Sequence, residues 1–350
     1  MVRPESPEVV YTEIDSQFYD EFLKDRMPRK IWDFHIHLNL PEHIPEISEE
    51  RLHSDWAFES GLILPCEKAA EYGKILFPDS EYTMTGFPWP VKEADLEANN
   101  QYLLEKKSEG MVHPFMAVAP WHERKYIEEL LPYFAGFKPY PDLVSNVKGA
   151  EISIFTFMPK WQLKILNQCK KTVVIHLPRK RRIADSKNIR ELLEIRQQYP
   201  DIEIVIAHFG RSFNLCYLET ALKEMGKDAE EFYWDTAAVL NPDVYRFAFE
   251  NLPETKILFG TDAPIMLWHG KRRWTENTYI NLVREPFSWN LHEEGSEAES
   301  HYTFFIYEQM RSILDVIDDL KPGAQFKDNL FYENAKRLLY KEVQLRNVKR

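Results

Sequence analysis

The stretch from residue 172 to residue 209 reads TVVIHLPRKRRIADSKNIRELLEIRQQYPDIEIVIAHF. It opens and closes on short apolar runs, TVVIHL (172–177) and IEIVIAHF (202–209), near-continuous in Val and Ile, as strands buried on both faces require. Between them NIRELLEIRQQY (188–199) sets Ile189, Leu192, Leu193 and Tyr199 broadly on one side of a helix, with charges opposite. A strand, a helix and a second strand in that order predict a parallel pair with the helix laid over it.

The same rhythm extends in both directions. The runs IWDFHIHL (31–38), SGLILPC (60–66), HPFMAVA (113–119), FAGFKP (134–139), EFYWD (231–235) and KILFGTD (256–262) bring the strand-like segments to eight. Helical segments over 95–107 and 161–170 lie between them, and Asn241-Pro242 supplies an N-cap and an N1 proline for the helix before the eighth. Eight alternations predict an α/β chain closed as a (β/α)8 TIM barrel. A doubly wound open sheet would carry a G-x-G-x-x-G turn after its first strand; here NLPEHIP (39–45) follows instead. Two long βα-loop insertions are expected over the mouth: about 41–104, with YTMTGFPWP (82–90), and 263–319, with LWHGKRRW (267–274) and HEEGSEAESH (292–301). The chain is thus expected to be one unit over 1–350, with a core of about 31–339 and the 263–319 insertion as lid or periphery.

Composition narrows the function. The 350 residues carry 44 Lys and Arg against 56 Asp and Glu, a formal charge of −12, which repels phosphate backbones and argues against a nucleic-acid partner. No apolar run approaches the ~20 residues that cross a bilayer, so no membrane role is expected. The opening MVRPESPEVV has no apolar h-region, and Cys66, Cys169 and Cys216 show no paired spacing; both fit reduced thiols and a cytoplasmic address. A homodimer is the expected assembly.

The chemistry gathers at the strand ends. His35 and His37 are two apart, so both imidazoles lie on one face of the first strand with Ile36 opposite; by alternation Asp33 shares their face. An H-x-H pair alone is common by chance. However, His176 ends the fifth run, His208 the sixth and Asp262 the eighth. Burying such a group without a partner costs roughly 1–3 kcal/mol, more for a charge, so five metal-competent side chains on four strands of one barrel call for a ligand.

These residues resemble the amidohydrolase superfamily, in particular the amidohydrolase-2 branch that includes aminocarboxymuconate-semialdehyde decarboxylase-like enzymes. The matching pieces are DFHIH (33–37), VIH (174–176), IAHFG (206–210), FGTDAP (259–264) and NAKRLL (334–339), with 99–120 similar to the helix leading into the branch's third strand. The resemblance implies one divalent ion, zinc with manganese as the alternative, held by His35, His37, His176 and Asp262. It implies His208 as the catalytic histidine, with Asp262 able to take a proton. Three imidazoles and a carboxylate are a donor set that suits zinc.

Asp33 is expected to support these ligands rather than join them. Lys138, at the end of the fourth strand, is expected to contact a substrate carboxylate; a carboxylated lysine bridging two metals and a plain rim lysine are the alternatives. Arg179, at the head of RKRR (179–182), and Arg211 are expected to bind an anionic substrate. Trp268 is expected to line the pocket, with His122, His269 and Trp274 as weaker candidates, and Cys66 to be a core thiol. The expected activity is hydrolysis of an amide, lactam, ester or lactone of a small carboxylate-bearing substrate. Non-oxidative decarboxylation of an unsaturated or aromatic acid is the alternative on the same motifs. A barrel retired from chemistry would lack one of the five strand-end groups, and all five are present.

Overall fold

The computed structural model describes residues 8–54, 56–61, 63–145, 149–275 and 278–347. Eight strands follow one another: β1 (Lys30–His37), β2 (Glu81–Phe87), β3 (His113–Pro114, resumed at Met116–Val118), β4 (Gly136–Pro139), β5 (Thr172–Ile175), β6 (Glu203–Ile206), β7 (Tyr233–Asp235) and β8 (Ile257–Leu258). Each pairs in parallel with the next. Beyond β8 the chain returns to β1: Phe34 N–H donates to Phe259 O at 2.9 Å, Asp262 N–H to His35 O at 2.8 Å and His37 N–H to Ala263 O at 2.8 Å. Those bonds join the last strand to the first, and the fold is a (β/α)8 barrel.

The alternation along the strands sorts side chains into two cores. Trp32, Phe34, Phe87, Phe115, Val174, Val205 and Leu258 form one buried cluster, which Ala335 and Leu338 of the last helix (Asn334–Asn347) also join. Side chains from so many strands meet only inside the barrel, so this cluster is its interior plug. The alternate residues Val173, Ile175, Ile204 and Ile206 belong to the outer core, with Leu192 and Ile195 of the helix Ser186–Gln198. The Asn241 side chain caps the helix Pro242–Asn251 as expected, accepting from Asp243 N–H at 3.0 Å.

Two features depart from the sequence reading. The second strand is EYTMTGF (81–87), not SGLILPC: around 60–66 (position 62 lies outside the described residues) the described chain is non-strand, and Cys66 opens the helix Cys66–Leu76. Pro65 precedes that helix as its N-cap, and the apolar run is instead buried against the loop after β1, where Leu64 N–H donates to Asn39 Oδ1 at 3.0 Å. A short apolar run is equally apt for a strand and for packed coil, and length does not separate them. The stretch 263–319 is likewise two structures. An antiparallel hairpin, β9 (Gly270–Trp274) with β10 (Tyr279–Val283), stands at the mouth, while the helix Phe305–Leu320 packs on the barrel shell. Gln309, buried on that helix, donates to Thr236 O and Gly260 O, each at 2.9 Å. Among the described residues no helix is long and apolar enough to cross a membrane.

Candidate metal centre and binding cavity

The site starts with a slip in β1. Asp33 pairs with Met84 but Ile36 pairs with Gly86, so β1 holds one residue more than β2 across that interval. The bulge shifts the alternation. Trp32 and Phe34 point into the plug, yet His35 and His37 also face inward above it, and Ile36 joins the outer core. Asp33 therefore does not share the histidines' face, contrary to the alternation argument. It accepts from Thr261 N–H (2.9 Å), Thr261 Oγ1 (2.6 Å), His35 N–H (3.2 Å) and the Tyr82 hydroxyl (3.2 Å). Burial pushes its carboxyl up to about 7 against those donors. Its work is to pin Thr261, the residue before Asp262. Gly260, two before Asp262, makes room: a Cβ there would lie 2.8 Å from His35 Cβ.

The imidazole tautomers define the centre. His35 Nδ1 lies 2.9 Å from Asp235 Oδ2, and a carboxylate there requires N–H on Nδ1, leaving the lone pair on Nε2. His37 Nδ1 lies 3.3 Å from the Pro88 carbonyl, with the same consequence. Both Nε2 atoms then face Asp262 Oδ1, at 3.4 and 3.5 Å. Two lone pairs and a carboxylate oxygen converge on one point, all buried, an arrangement that a bound cation satisfies. Burial holds both imidazoles well below the ordinary histidine value, so they are neutral and ready to ligate; Asp262 is pushed up to about 6 by the same cause. Lys138 meets one of the three acceptors, its Nζ 3.3 Å from His35 Nε2 and 4.2 Å from the Phe87 ring centroid. Its ammonium is fully buried and lowered to about 8 by that burial, with Asp235 and Asp262 opposing. His37 Nε2 and Asp262 remain to be satisfied.

His208 stands beside them on a backbone of unusual hand. Residues His208, Phe209, Gly210 and Arg211 have φ of 57°, 46°, 71° and 65°, a left-handed turn that costs on the order of 1–2 kcal/mol per non-glycine residue. Asp235 Oδ1 holds its start by accepting His208 N–H at 2.7 Å. Gly210 lets the turn pack on Ile183, whose Cβ would lie 2.3 Å from a Cβ added there. His208 Nδ1 lies 2.8 Å from Ala237 O, which fixes N–H on Nδ1 and frees Nε2. Burial lowers its pKa to about 4, so it is a neutral base. The His176 ring is 5.3 Å from that of His208 and stacked 4.4 Å from Tyr140, and its Nδ1 is buried without a hydrogen-bond partner. That orphaned nitrogen is a second sign of an unmet ligand. His176 does not, however, fall within the tight cluster of His35, His37 and Asp262 donor atoms.

Above the centre opens a cavity of about 350 Å³, lined by His37, His176, His208 and Asp262 and walled by Trp89, Tyr140, Phe213 and Tyr279. Arg211 lines it, its Nη1 donating to Leu177 O at 3.0 Å. Arg179 does not. Its guanidinium turns back to Glu191, at 2.8 and 3.1 Å, and to Asn188, so it is a neutralised anchor of the helix Ser186–Gln198. Trp268 also lies outside the cavity, bonding Ser60 O through Nε1 and packing on Phe287. His122 Nδ1 accepts from Ala119 N–H at 3.2 Å in its own turn, and burial pushes the Cys66 thiol up to about 12. Three residues were not singled out from sequence. Arg182 lies within the RKRR run and Arg272 on the hairpin, neither marked by a local pattern, whereas Asp235 ends its run as Asp262 does, and that is a signal in the sequence.

A (β/α)8 barrel with imidazoles and a carboxylate converging at its C-terminal mouth defines a metal-competent barrel of the enzyme type. The amidohydrolase profile Amidohydro_2 matches residues 32–340, and the chain belongs to that family. No curated protein matches it. Among solved structures it is similar to 5-carboxyvanillate decarboxylase from Novosphingobium aromaticivorans complexed with manganese and 4-hydroxy-3-methoxy-5-nitrobenzoic acid, at 11% identity and TM-score 0.53 over 89% of this chain and 96% of that one. It is similar to a probable 2-pyrone-4,6-dicarboxylic acid hydrolase from Acinetobacter baumannii with citric acid bound, at 13% identity and TM-score 0.52 over 89% and 99%. A dihydroxybenzoic acid decarboxylase from Polaromonas with manganese and 2-nitroresorcinol matches at 12% identity and TM-score 0.52 over 90% and 98%. At these identities the likeness speaks for the fold.

Proposed function

We propose that this chain is a metal-dependent hydrolase of a small carboxylate-bearing amide, lactam, ester or lactone. One observation carries the reading: His35 Nε2, His37 Nε2 and Asp262 Oδ1 converge within 3.4–3.5 Å on the cavity floor. His35, His37 and Asp262, with His176 as fourth donor, would hold one divalent ion; the imidazole-rich set suits zinc, and manganese, present in two of the relatives, is the alternative. Such an ion, when bound, polarises a carbonyl and lowers the pKa of water to about 7. The chain's own residues supply the rest. Asp235 holds His35 in the ligating tautomer and the His208 turn in place. His208, neutral with a free Nε2, takes the proton of the attacking water and returns it to the leaving group. Asp262 is a second proton acceptor beside it, with its Oδ2 3.9 Å from His208 Nδ1. Arg211 orients the substrate carboxylate.

Two of the relatives are decarboxylases, and the aromatic lining of Tyr140, Phe213 and Tyr279 suits an aromatic acid, so decarboxylation on the same residues is the second reading. Turnover in ¹⁸O-labelled water decides between them. Hydrolysis places the label in the product; CO₂ release with a solvent proton on carbon and no label makes the second reading correct. In either case His208→Gln is expected to keep its metal and lower kcat by ~10²–10⁴-fold. Near-normal turnover in that variant would remove His208 from the chemistry.

A further inference from the structure

A fully buried lysine is expensive unless its ammonium is well partnered, and Lys138 is placed unusually. Phe137, its neighbour on β4, joins the outer core, so by alternation Lys138 points into the barrel. Among the described residues, the hydrogen bond that its Nζ makes is to His35 Nε2, at 3.3 Å. The rest of the ammonium meets aromatic faces, 4.2 Å from the centre of the Phe87 ring and 5.6 Å from that of Tyr140. Phe87 is shared: its ring also lies 4.8 Å from each of those of His35 and His37. The cavity lining includes His37 and Asp262 but not Lys138.

His35 has one lone pair to give. Its Nδ1 carries the hydrogen that faces Asp235, so Nε2 is its ligating atom, and Nε2 is the atom that Lys138 engages. Ligating an ion and accepting from Lys138 are therefore exclusive states of one nitrogen. Charge acts in the same direction. Asp235 and Asp262 both attract the Lys138 ammonium, and Arg272 acts on Asp262 as a second cation. Two carboxylates thus already face two cations, and a divalent ion entering this buried centre meets an ammonium at one of its own ligands.

We infer that Lys138 is a built-in competitor of the metal. In the metal-free centre its ammonium holds the His35 Nε2 lone pair, and an ion binds by displacing it, which sets the affinity below what the donor set alone would give. The same charge keeps the centre to one ion. The inference rests on the metal reading above and adds to it a residue that opposes the ion.

The test is zinc affinity, by competition with a fluorescent chelator, on wild type and Lys138→Met. Methionine keeps an unbranched stem in the same space and removes both the donor and the charge. The variant is expected to bind zinc about 10- to 100-fold tighter, the worth of one hydrogen bond made by a charged group. At one fixed free zinc concentration, the gap in melting temperature between loaded and stripped protein is expected to widen accordingly. A lysine that served only packing would leave both readings where they were. A gain under about 5-fold, or a loss, overturns the competitor and leaves the metal reading standing. Zinc bound by neither protein overturns both. Two ions per wild-type chain, one of them lost in Lys138→Met, with a carboxylated lysine in the wild-type intact mass, would make Lys138 a ligand and overturn the inference. Should the variant not fold, a crystal structure of zinc-loaded wild type decides: Nζ withdrawn from His35 Nε2 upholds the competition, and Nζ still bonded to it in the occupied centre ends it.

Discussion

Two buried histidine–carboxylate clusters in this molecule are built from the same residue types and are opposite in kind. At the barrel mouth, His35 and His37 turn lone pairs toward Asp262, and the Lys138 ammonium meets the His35 lone pair, leaving His37 and Asp262 open. At the base of the hairpin, His269 stands between Asp15 Oδ2, 3.0 Å from Nε2, and Glu285 Oε1, 2.9 Å from Nδ1, while Thr303 donates to Asp15 Oδ1 at 2.8 Å. Burial opposes the charge on His269, but the bonds to Asp15 and Glu285 outweigh it and its pKa is raised. That cluster is closed: His269, with a carboxylate at each ring nitrogen and Arg284 beside Nδ1, joins the helix Glu13–Phe18 to the hairpin strand that begins at Gly270. Partner count and tautomer, rather than residue type, separate a site that wants a ligand from one that is finished.

The contrast can be broken at its open end first. His35→Ala is expected to reduce bound metal from about one ion per chain to a small fraction and activity by more than ~10⁴-fold, while the fold survives, because Asp235 loses His35 but keeps the His208 and Ala237 N–H donors. Metal analysis of purified protein with a circular-dichroism melt checks this; full metal content in the variant would end the assignment. Asp235→Asn probes the support one step out. It keeps the shape but weakens the hold on the His35 tautomer, so metal affinity is expected to fall ~10–100-fold in a chelator competition, with a smaller loss of turnover. An unchanged affinity would reduce Asp235 to a backbone anchor for His208.

The closed cluster should respond in stability and not in metal. His269→Leu leaves Asp15 without its cation, while Glu285 keeps Arg284 at 3.8 Å, and is expected to cost about 3–5 kcal/mol, with metal content intact. The sign with pH follows from the raised pKa. The folded state binds this proton more tightly than the unfolded chain, so the contribution is complete below the unfolded value near 6.5 and is lost as pH climbs through the folded pKa. Wild type should therefore lose stability across that interval by denaturant titration, and His269→Leu should lose less; parallel pH curves would show that His269 is not charged in the fold.

Several things were legible in the chain before any coordinates. The Val/Ile runs 172–175 and 203–206 read as buried strands because burial on both faces leaves no polar alternation, and the polar residue ending each run marked the mouth. His35, His37 and Asp262 stood out because a buried polar group at a strand end is expensive without a partner. The second strand did not stand out: EYTMTGF is half polar and half buried, and lost to the more apolar LILP nearby. Simple alternation puts Asp33 on the histidines' face, but one extra residue in β1 reverses it, and a bulge leaves no mark in local hydrophobicity.

Sequence by itself determined the barrel and the set of groups that could hold an ion, since both follow from periodicity and from the cost of burying polar atoms at fixed positions along a strand. The tertiary structure decided which charges are spent on one another. Arg179 and Arg182 are three residues apart in one basic run, yet the first faces Glu191 across a helix and the second faces the cavity beside Phe213. Neutralisation depends on distances between residues far apart in the chain, which no local pattern carries.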